Sequence, residues 1–261
     1  MSKETLFVAF STQKGGMGKT AVTILTASHL HYVRGFNVAV IDCDFPQHSI
    51  VKERERDVKI VMENSHFKRL AYAQFKTLGN KAYPVEESNT VEAMNAANAL
   101  IESAERPYDV IFFDLPGTLN TTGVVKTLAA MDYIFTPISA DRLVLESTLQ
   151  YATMLNDHII SQNKGNIKGL FLFWNMVDGR EKSPLYEAYE GAIAELGLTV
   201  LNTTLPNSIR FRKEMSNERN SIFRSTLFPP DKMLLKDSNI DVLSNEICEI
   251  LNLKKDANKQ E

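Results

Sequence analysis

The stretch FSTQKGGMGKTAV, residues 10–22, decides the fold class because it places three glycines and two lysines directly after an apolar run. That run, TLFVAF (5–10), is typical of a short strand. From about Thr20 to Arg34 apolar residues recur at helical spacing, and Gly35 ends the pattern. A glycine loop between a strand and a helix turns backbone N–H groups toward an anion, and the helix N-terminus adds its dipole. The stretch therefore predicts a phosphate-binding loop.

The rest of the chain continues this strand–helix alternation. NVAVIDCD (37–44) and DVIFFDLPG (109–117) are typical of buried strands. Further strands are predicted at 133–139, 167–177 and 198–206, and further helices at 141–161, 183–196 and 239–253. This order predicts an α/β fold with a mostly parallel twisted sheet flanked by helices on both faces.

The length of 261 residues suits one such domain. No internal repeat or low-complexity linker divides the chain. We predict a single domain over residues 1–261, with a mainly helical insertion at about 45–107 and a frayed polar tail at 254–261.

Composition excludes several other classes of protein. The chain is 44% hydrophobic and 23% charged, and its formal net charge of −3 provides no general attraction to nucleic acid or anionic lipid. Its two cysteines, Cys43 and Cys248, form no CxxC pair, which argues against a disulfide scaffold or a zinc site. No apolar run approaches the ~18 residues of a membrane span, and no signal peptide is evident. We therefore expect a cytoplasmic protein that does not bind membranes.

Within the glycine loop, individual residues suit contacts to a nucleoside triphosphate. Lys19 would reach the β- and γ-phosphates, and the Thr20 hydroxyl would bind Mg²⁺. The general P-loop pattern requires a glycine at position 13, where this chain has Gln13, and Lys14 precedes the loop instead.

The stretch KGGMGKT (14–20) resembles the deviant Walker A motif of the ParA/MinD family of P-loop ATPases, whose hallmark is the extra lysine. The resemblance implies ATP and Mg²⁺ as cofactors, and a homodimer that forms on ATP binding. In that dimer Lys14 contacts phosphate in the partner's nucleotide site, where a second cation at the β/γ bridge neutralises charge that one lysine leaves uncompensated. The nucleotide contacts that the resemblance implies in this loop are Gly15, Gly16, Met17, Gly18, Lys19, Thr20 and Ala21. Because Ala21 replaces a hydroxyl residue of the family, we expect slightly weaker nucleotide affinity.

Two alternating carboxylates end the second predicted strand. Asp42 and Asp44 lie in VAVIDCDFPQ (38–47), and period-two geometry directs both into one crevice at the carboxyl end of the sheet. The family resemblance gives Asp44 the role of orienting or deprotonating the attacking water, and it places Asp42 near the metal through water. The alternative for both is a solvated acidic strand end.

A further carboxylate, Asp114, ends the apolar run of YDVIFFDLPGT (108–118), which resembles the Walker B strand and switch II. A lone carboxylate is costly to bury, and a Mg²⁺-bound water would satisfy it. Gly117 stands where the family has a second proline, which loosens the predicted switch.

Two base contacts are implied by the resemblance near the C-terminus. Asn175, in FWNMVD (173–178), corresponds to an asparagine that reads the adenine edge. Pro206, in LPNSIRF (205–211), would pack on the base. The alternative for each is an ordinary loop residue, because Asn and Pro are common at strand ends.

One local segment is basic in an otherwise acidic chain. RFRKEMSNERNSIFR (210–224) carries five Lys or Arg residues and two glutamates. Such a patch favours sequence-independent, salt-dependent binding to DNA phosphates. Arg210 falls where the family has a DNA-contacting arginine, with Arg212 and Lys213 close by, while the family's other DNA-binding arginine has no clear counterpart. The alternative is a solvated surface.

Together these features predict a ParA-like ATPase with slow, partner-stimulated turnover that dimerises with ATP and binds DNA non-specifically. The chain looks most like ParA-type proteins of conjugative elements, so we expect a role in plasmid or mobile-element partition or in conjugative transfer, with an unidentified stimulating protein as partner. The alternative is a nucleotide-switched regulatory scaffold that controls a protein partner without DNA binding. A membrane-binding MinD-like role is disfavoured, because no apolar helical face follows Leu253.

Overall fold

The computed structural model describes residues 4–118, 122–179, 183–218 and 220–254. Its strands are β1 (Leu6–Phe10), β2 (Val38–Asp42), β3 (Val85–Glu87), β4 (Val110–Asp114), β5 (Tyr133–Ile138), β6 (Gly169–Trp174) and β7 (Thr199–Val200). They form one sheet in the order β3-β2-β4-β1-β5-β6-β7, and all neighbouring strands run parallel. The predicted parallel α/β fold is confirmed.

Helices occupy most of the connections between strands. They are α1 (Lys19–Ser28), α2 (Ser49–Glu63), α3 (Ser65–Leu78), α4 (Ala93–Ser103), α5 (Thr122–Ala129), α6 (Arg142–Leu155), α7 (Ser183–Glu195), α8 (Lys232–Leu235) and α9 (Ile240–Ile250). Helices α1 and α6 each continue into a π-helical turn, His29–Val33 and Asn156–Ile160. Gly35 has a φ of 72°, the left-handed conformation expected where the first helix ends.

The helices cover both faces of the sheet. Because side chains alternate along a strand, Val38 and Val40 of β2 pack in one apolar cluster, which includes residues of α1 and α9. Ala39 and Ile41 of the same strand pack in a second cluster, which includes residues of α4, α5, α6 and α7. Burial on both faces explains why the strands are continuous apolar runs rather than alternating ones.

The structure differs from the sequence-based prediction in several connections. The segment 45–107, expected to be mainly helical, also supplies β3, which pairs with β2 at an edge of the sheet. The strand predicted at 198–206 is reduced to the two residues of β7, and α5 was not predicted. A three-residue strand is too short to show an alternating pattern. Of the tail predicted to fray, residues 255–261 lie outside the described residues.

The parallel register brings the C-terminal ends of β1, β2 and β4 together at the carboxyl end of the sheet. Asp114 is the register partner of Phe10 in β1 and of Asp42 in β2. The loops that follow β1, β2 and β4 therefore leave the sheet side by side, which places the glycine loop next to both acidic strand ends. Within the described ranges, no helix is both long and apolar enough to cross a lipid bilayer.

Candidate nucleotide-binding site

The glycine loop lines a cleft of about 860 Å³. Gly16 and Gly18 each have a φ of 77°, a conformation that residues with a Cβ rarely adopt. At Gly18 a Cβ would also lie 3.0 Å from the Nδ2 atom of Asn175. Backbone conformation and the approach of a neighbouring side chain thus both require glycine at position 18.

The two lysines of the loop have different surroundings. Lys19 is buried, and burial lowers the pKa of its ammonium group, whereas the charges of Asp114 and Asp44 raise it. Its Nζ atom lies 3.5 Å from the carbonyl oxygen of Lys14 and faces the cleft. The Lys14 side chain is exposed and does not line the cleft of its own chain. Only one of the two cations is therefore positioned for a phosphate bound in this cleft.

Thr20 and Asp114 form a pair suited to Mg²⁺. Thr20 Oγ1 donates a hydrogen bond of 2.7 Å to Asp114 Oδ2. The other carboxylate oxygen of Asp114 is buried and has no hydrogen-bond partner among the described residues. Burial raises the pKa of Asp114 to about 7, although the Thr20 hydroxyl lowers it. A hydroxyl beside an unsatisfied carboxylate oxygen fits the oxygen ligands that Mg²⁺ binds directly or through water.

The alternating aspartates do not share one crevice, which corrects the expectation from strand geometry. Asp44 is half-buried and lines the cleft, and burial raises the pKa of its carboxyl group. Asp42 is fully buried, and its Oδ2 atom accepts the N–H groups of Ile50 (2.8 Å) and Val51 (3.1 Å). These amides lie in the first turn of α2, where N–H groups lack intrahelical partners and favour a negative charge. Asp42 therefore positions α2, and its role near the metal stays a prediction.

Asn175 and Pro206 both line the cleft, as does Ala21. The Nδ2 atom of Asn175 donates a 2.8 Å hydrogen bond to the carbonyl oxygen of Met17, and its Oδ1 atom accepts the N–H of Met176 at 2.9 Å. These bonds tie the end of β6 to the glycine loop. Asn175 therefore has a structural role in holding the loop, while the adenine contacts of Asn175 and Pro206 stay predictions.

Several other residues contribute to the cleft beyond those predicted. Lys52, Arg56 and Phe211 line it. Lys52 and Arg56 lie one turn apart on α2, directly after the Asp44 loop, so their four-residue spacing was a signal for a shared cationic face. A Cβ at Gly117 would lie 3.2 Å from Lys19 Nζ, so glycine at this position leaves room for the lysine.

The cations of segment 210–224 do not form one exposed patch. Arg210 Nη1 donates hydrogen bonds to the carbonyl oxygens of Leu234 (2.8 Å) and Lys236 (2.5 Å), at the end of α8. Arg212 is exposed and lines the nucleotide cleft, and Lys213 is half-buried. Their predicted contacts to DNA stay predictions. Arg219 lies outside the described residues.

The last cation of this segment, Arg224, belongs to an ion-pair network in which Glu53 is buried and Arg56 is exposed. Arg224 Nε lies 3.1 Å from Glu53 Oε1, and Arg224 Nη2 lies 2.5 Å from Glu214 Oε1. Arg56 also contacts Glu214, at 2.7 Å. Burial raises the pKa of Glu53 to about 7, although Arg224 lowers it. The network joins α2 to the C-terminal segment instead of presenting Arg224 to solvent.

The chain matches a protein family and a curated protein. The family model described as ATPase MipZ matches residues 6–147 of the chain. Among curated proteins, the chromosome-partitioning ATPase Soj of Thermus thermophilus is 27% identical over 215 residues, which cover 80% of this chain and 84% of the relative.

Solved structures share the fold at lower identity. A putative plasmid partition protein of Borrelia burgdorferi bound to AMPPNP has a TM-score of 0.57 and 15% identity, over 93% of this chain and 98% of that chain. An ATP complex of an McdA variant from Cyanothece has a TM-score of 0.61 and 13% identity, over 98% of this chain and 100% of that chain. The family match covers more than half of the chain. This chain thus belongs to the MipZ ATPase family within the ParA/MinD P-loop ATPases, and it is an enzyme that hydrolyses ATP.

Proposed function

We propose that this ATPase forms a homodimer on binding ATP, binds DNA non-specifically in that state, and acts in partition or conjugative transfer of plasmid or mobile-element DNA. The observation that carries the proposal is the different placement of the two loop lysines. Lys19 is buried at the cleft, whereas Lys14 is exposed outside it. The similarity to a chromosome-partitioning ATPase supports a role in moving DNA.

In the proposed reaction, Lys19 binds the β- and γ-phosphates from inside the cleft, and backbone N–H groups of the glycine loop bind the remaining phosphate oxygens. Thr20 and Asp114 would hold Mg²⁺, which would offset phosphate charge when bound. Asp44 lines the same cleft and orients the attacking water. Burial raises the pKa of Asp44, which strengthens it as a hydrogen-bond acceptor and as a base for that water.

In the proposed dimer, two nucleotide-loaded copies close face to face, and each Lys14 reaches the phosphates of the other copy. A lysine that does not line its own cleft is free to make this contact. The additional cation stabilises charge that develops on the phosphates during hydrolysis. Hydrolysis then separates the copies, so that ATP binding and DNA binding are coupled through the dimer.

The dimer is tested by measuring molar mass by light scattering with ADP, ATP and a non-hydrolysable analogue. Asp44→Ala should bind ATP and accumulate as a dimer, because hydrolysis no longer separates the copies. Lys14→Ala should remain monomeric and lose turnover. Lys164→Ala removes an exposed lysine outside the cleft and is the matched control. A Lys14→Ala protein that dimerises and hydrolyses ATP like the wild type would exclude the proposed role of Lys14.

DNA binding is tested with the same nucleotides at two salt concentrations. We expect the chain to bind duplex DNA with ATP or the analogue, to release it with ADP, and to bind more weakly at the higher salt concentration. If ATP produces a dimer that binds no DNA at either concentration, the regulatory scaffold becomes the better description of this protein.

A further inference from the structure

We propose that the exposed face of α3 is the main DNA-contact surface of this protein, an inference that rests on the proposed DNA binding. The face is defined by Lys68, Arg69, Tyr72 and Lys76, all of which are exposed. Its partner is the phosphate backbone of duplex DNA.

The four residues lie on one side of the helix. Lys68, Tyr72 and Lys76 are spaced by four residues, and Arg69 adjoins them, so their side chains occupy neighbouring positions on the helix surface. Tyr72 is 70% exposed, and Lys76 Nζ lies 5.8 Å from the centroid of its ring. From Lys68 to Lys76 the helix rises by about 12 Å, which is close to the width of the DNA major groove.

The charge on this face is of one sign. The α3 sequence SHFKRLAYAQFKTL has three Lys or Arg residues and no Asp or Glu. None of the three cations forms an ion pair with another described residue. Residues 49–81 together carry eight Lys or Arg and four Asp or Glu, in a chain whose net charge is −3. The two exposed carboxylates of that segment, Glu55 and Glu63, lie on α2.

These side chains have the chemistry that binds a DNA backbone. Lysine and arginine ammonium and guanidinium groups neutralise phosphates and release counterions, and a tyrosine hydroxyl donates hydrogen bonds to phosphate oxygens. By contrast, Arg210 and Arg224 of the segment predicted to bind DNA donate to carbonyl and carboxylate oxygens within the chain. Among the described residues, helix α3 thus presents more unpaired cationic charge to solvent than segment 210–224 does.

The opposite face of α3 is fixed to the protein. Phe67 and Ala71 are buried in a cluster with four residues of the C-terminal segment, Met215, Ile222, Leu227 and Phe228. Gln74 Nε2 donates a 2.8 Å hydrogen bond to the carbonyl oxygen of Leu227, and Asn64 caps the helix. An interfacial membrane helix needs a free apolar face to insert among lipids, and in α3 that face is already covered. The observations therefore favour DNA over a lipid surface.

The test reverses the charge of this face and compares it with an equal change elsewhere. The variant is Lys68→Glu/Arg69→Glu/Lys76→Glu, and its matched control is Lys126→Glu/Lys164→Glu/Lys254→Glu, at three other exposed lysines. Binding to duplex DNA is measured with the non-hydrolysable ATP analogue over a salt series. In the α3 variant we expect binding at least about tenfold weaker, and a slope of log affinity against log salt that is shallower by about 3. The control should bind within about threefold of the wild type.

Each outcome has a defined meaning. A wild-type protein that binds no DNA in any nucleotide state overturns the proposed function and this inference together. A wild type that binds DNA and an α3 variant that binds equally well overturn only the assignment to α3. If the wild type binds vesicles of anionic lipid and the α3 variant loses that binding while its DNA binding is unchanged, α3 is a membrane surface. That result would also overturn the assignment of DNA binding to α3. A second variant, Lys68→Ala/Arg69→Ala/Lys76→Ala, separates the loss of a DNA contact from misfolding of the helix. Circular dichroism and basal ATPase activity check that this variant is folded.

Discussion

The glycine loop at 14–20 and the basic segment at 210–224 are both rich in cations, but the structure directs these cations differently. In the loop, Lys19 faces the cleft together with Asp44. In the basic segment, Arg210 and Arg224 turn toward carbonyl and carboxylate oxygens of the same chain. The glycine motif lies at a strand–helix junction, so its sequence indicates that Lys19 points into the cleft. The number of charges in the basic segment does not indicate where Arg210 and Arg224 point.

The difference has a local physical cause. The direction of the loop follows from the left-handed conformations of Gly16 and Gly18, which are close in sequence to the lysine they position. Arginine side chains are long and bind whichever acceptors the fold brings near. The last carbonyl groups of a helix have no intrahelical partners, and Arg210 satisfies such a group at the end of α8.

The largest expected effect is in the loop. Lys19→Ala removes the buried cation of the cleft, and we expect ATP turnover to fall by about 10²–10³-fold, because a preorganised charge at the phosphates is lost. Steady-state phosphate release measures the effect, with Lys164→Ala as the control. If Lys19→Ala retained wild-type turnover, the loop would not direct its lysine to the phosphates, and the contrast with the basic segment would disappear.

A second prediction concerns the inward-facing Arg224. Burial raises the pKa of Glu53 to about 7, against 4.5 for an ordinary glutamate, and Arg224 limits this rise. The folded chain therefore binds this proton more tightly than the unfolded chain, and the free energy of unfolding falls as pH rises from about 4.5 through 7. Arg224→Ala should enlarge that fall. It should lower the free energy of unfolding by about 3 kcal/mol at pH 8, and by less at pH 5, because the buried Glu53 carboxylate loses its partner.

Urea unfolding at pH 5 and pH 8 measures this effect. The double variant Arg224→Ala/Glu53→Gln is the control, and it should not show the additional loss at pH 8. An equal loss for Arg224→Ala at both values would show that Arg224 stabilises the chain by packing and not by its charge.

A third prediction sharpens the role of backbone conformation in the loop. Gly18→Ala and Gly79→Ala both place a Cβ at a left-handed residue, which costs about 1–2 kcal/mol of stability. Only Gly18→Ala also brings the Cβ to 3.0 Å from Asn175, since nothing lies within 4 Å at Gly79. We expect a larger loss in the free energy of unfolding and weaker ATP binding for Gly18→Ala alone. Equal effects of the two variants would contradict the contact with Asn175.

The smallest effect is expected at Arg210. Arg210→Ala removes two hydrogen bonds to backbone carbonyls, and the free energy of unfolding should fall by about 1 kcal/mol. DNA affinity should change by no more than about threefold, because the half-buried guanidinium is already hydrogen-bonded within the chain and neutralises little DNA phosphate. A thermal melt and the DNA-binding assay measure the two quantities. A stable variant with severely weakened DNA binding would restore this residue as a DNA contact.

Much of the fold could be predicted because its strands are apolar runs that end at recognisable turns. The strands containing Val8, Val40 and Phe112 were predicted from such runs, and the side chains of these three residues are fully buried. Short elements could not be predicted. The strand β3 has the sequence VEE, and β7 has two residues, so neither is long enough to show a period.

The sequence by itself determined the glycine loop and the parallel α/β fold. It also determined that Lys19, Thr20 and Asp114 lie at the carboxyl end of the sheet, because these features depend on local conformation and on strand order. Only the tertiary structure decided that Asp42 accepts N–H groups from the first turn of α2, that Arg210 binds the end of α8 and that α3 faces solvent with its cations unpaired by described residues. The physical reason is that a long or charged side chain takes its partner from whatever element packs beside it. That partner is often far away in the sequence, as 171 residues separate Glu53 from Arg224.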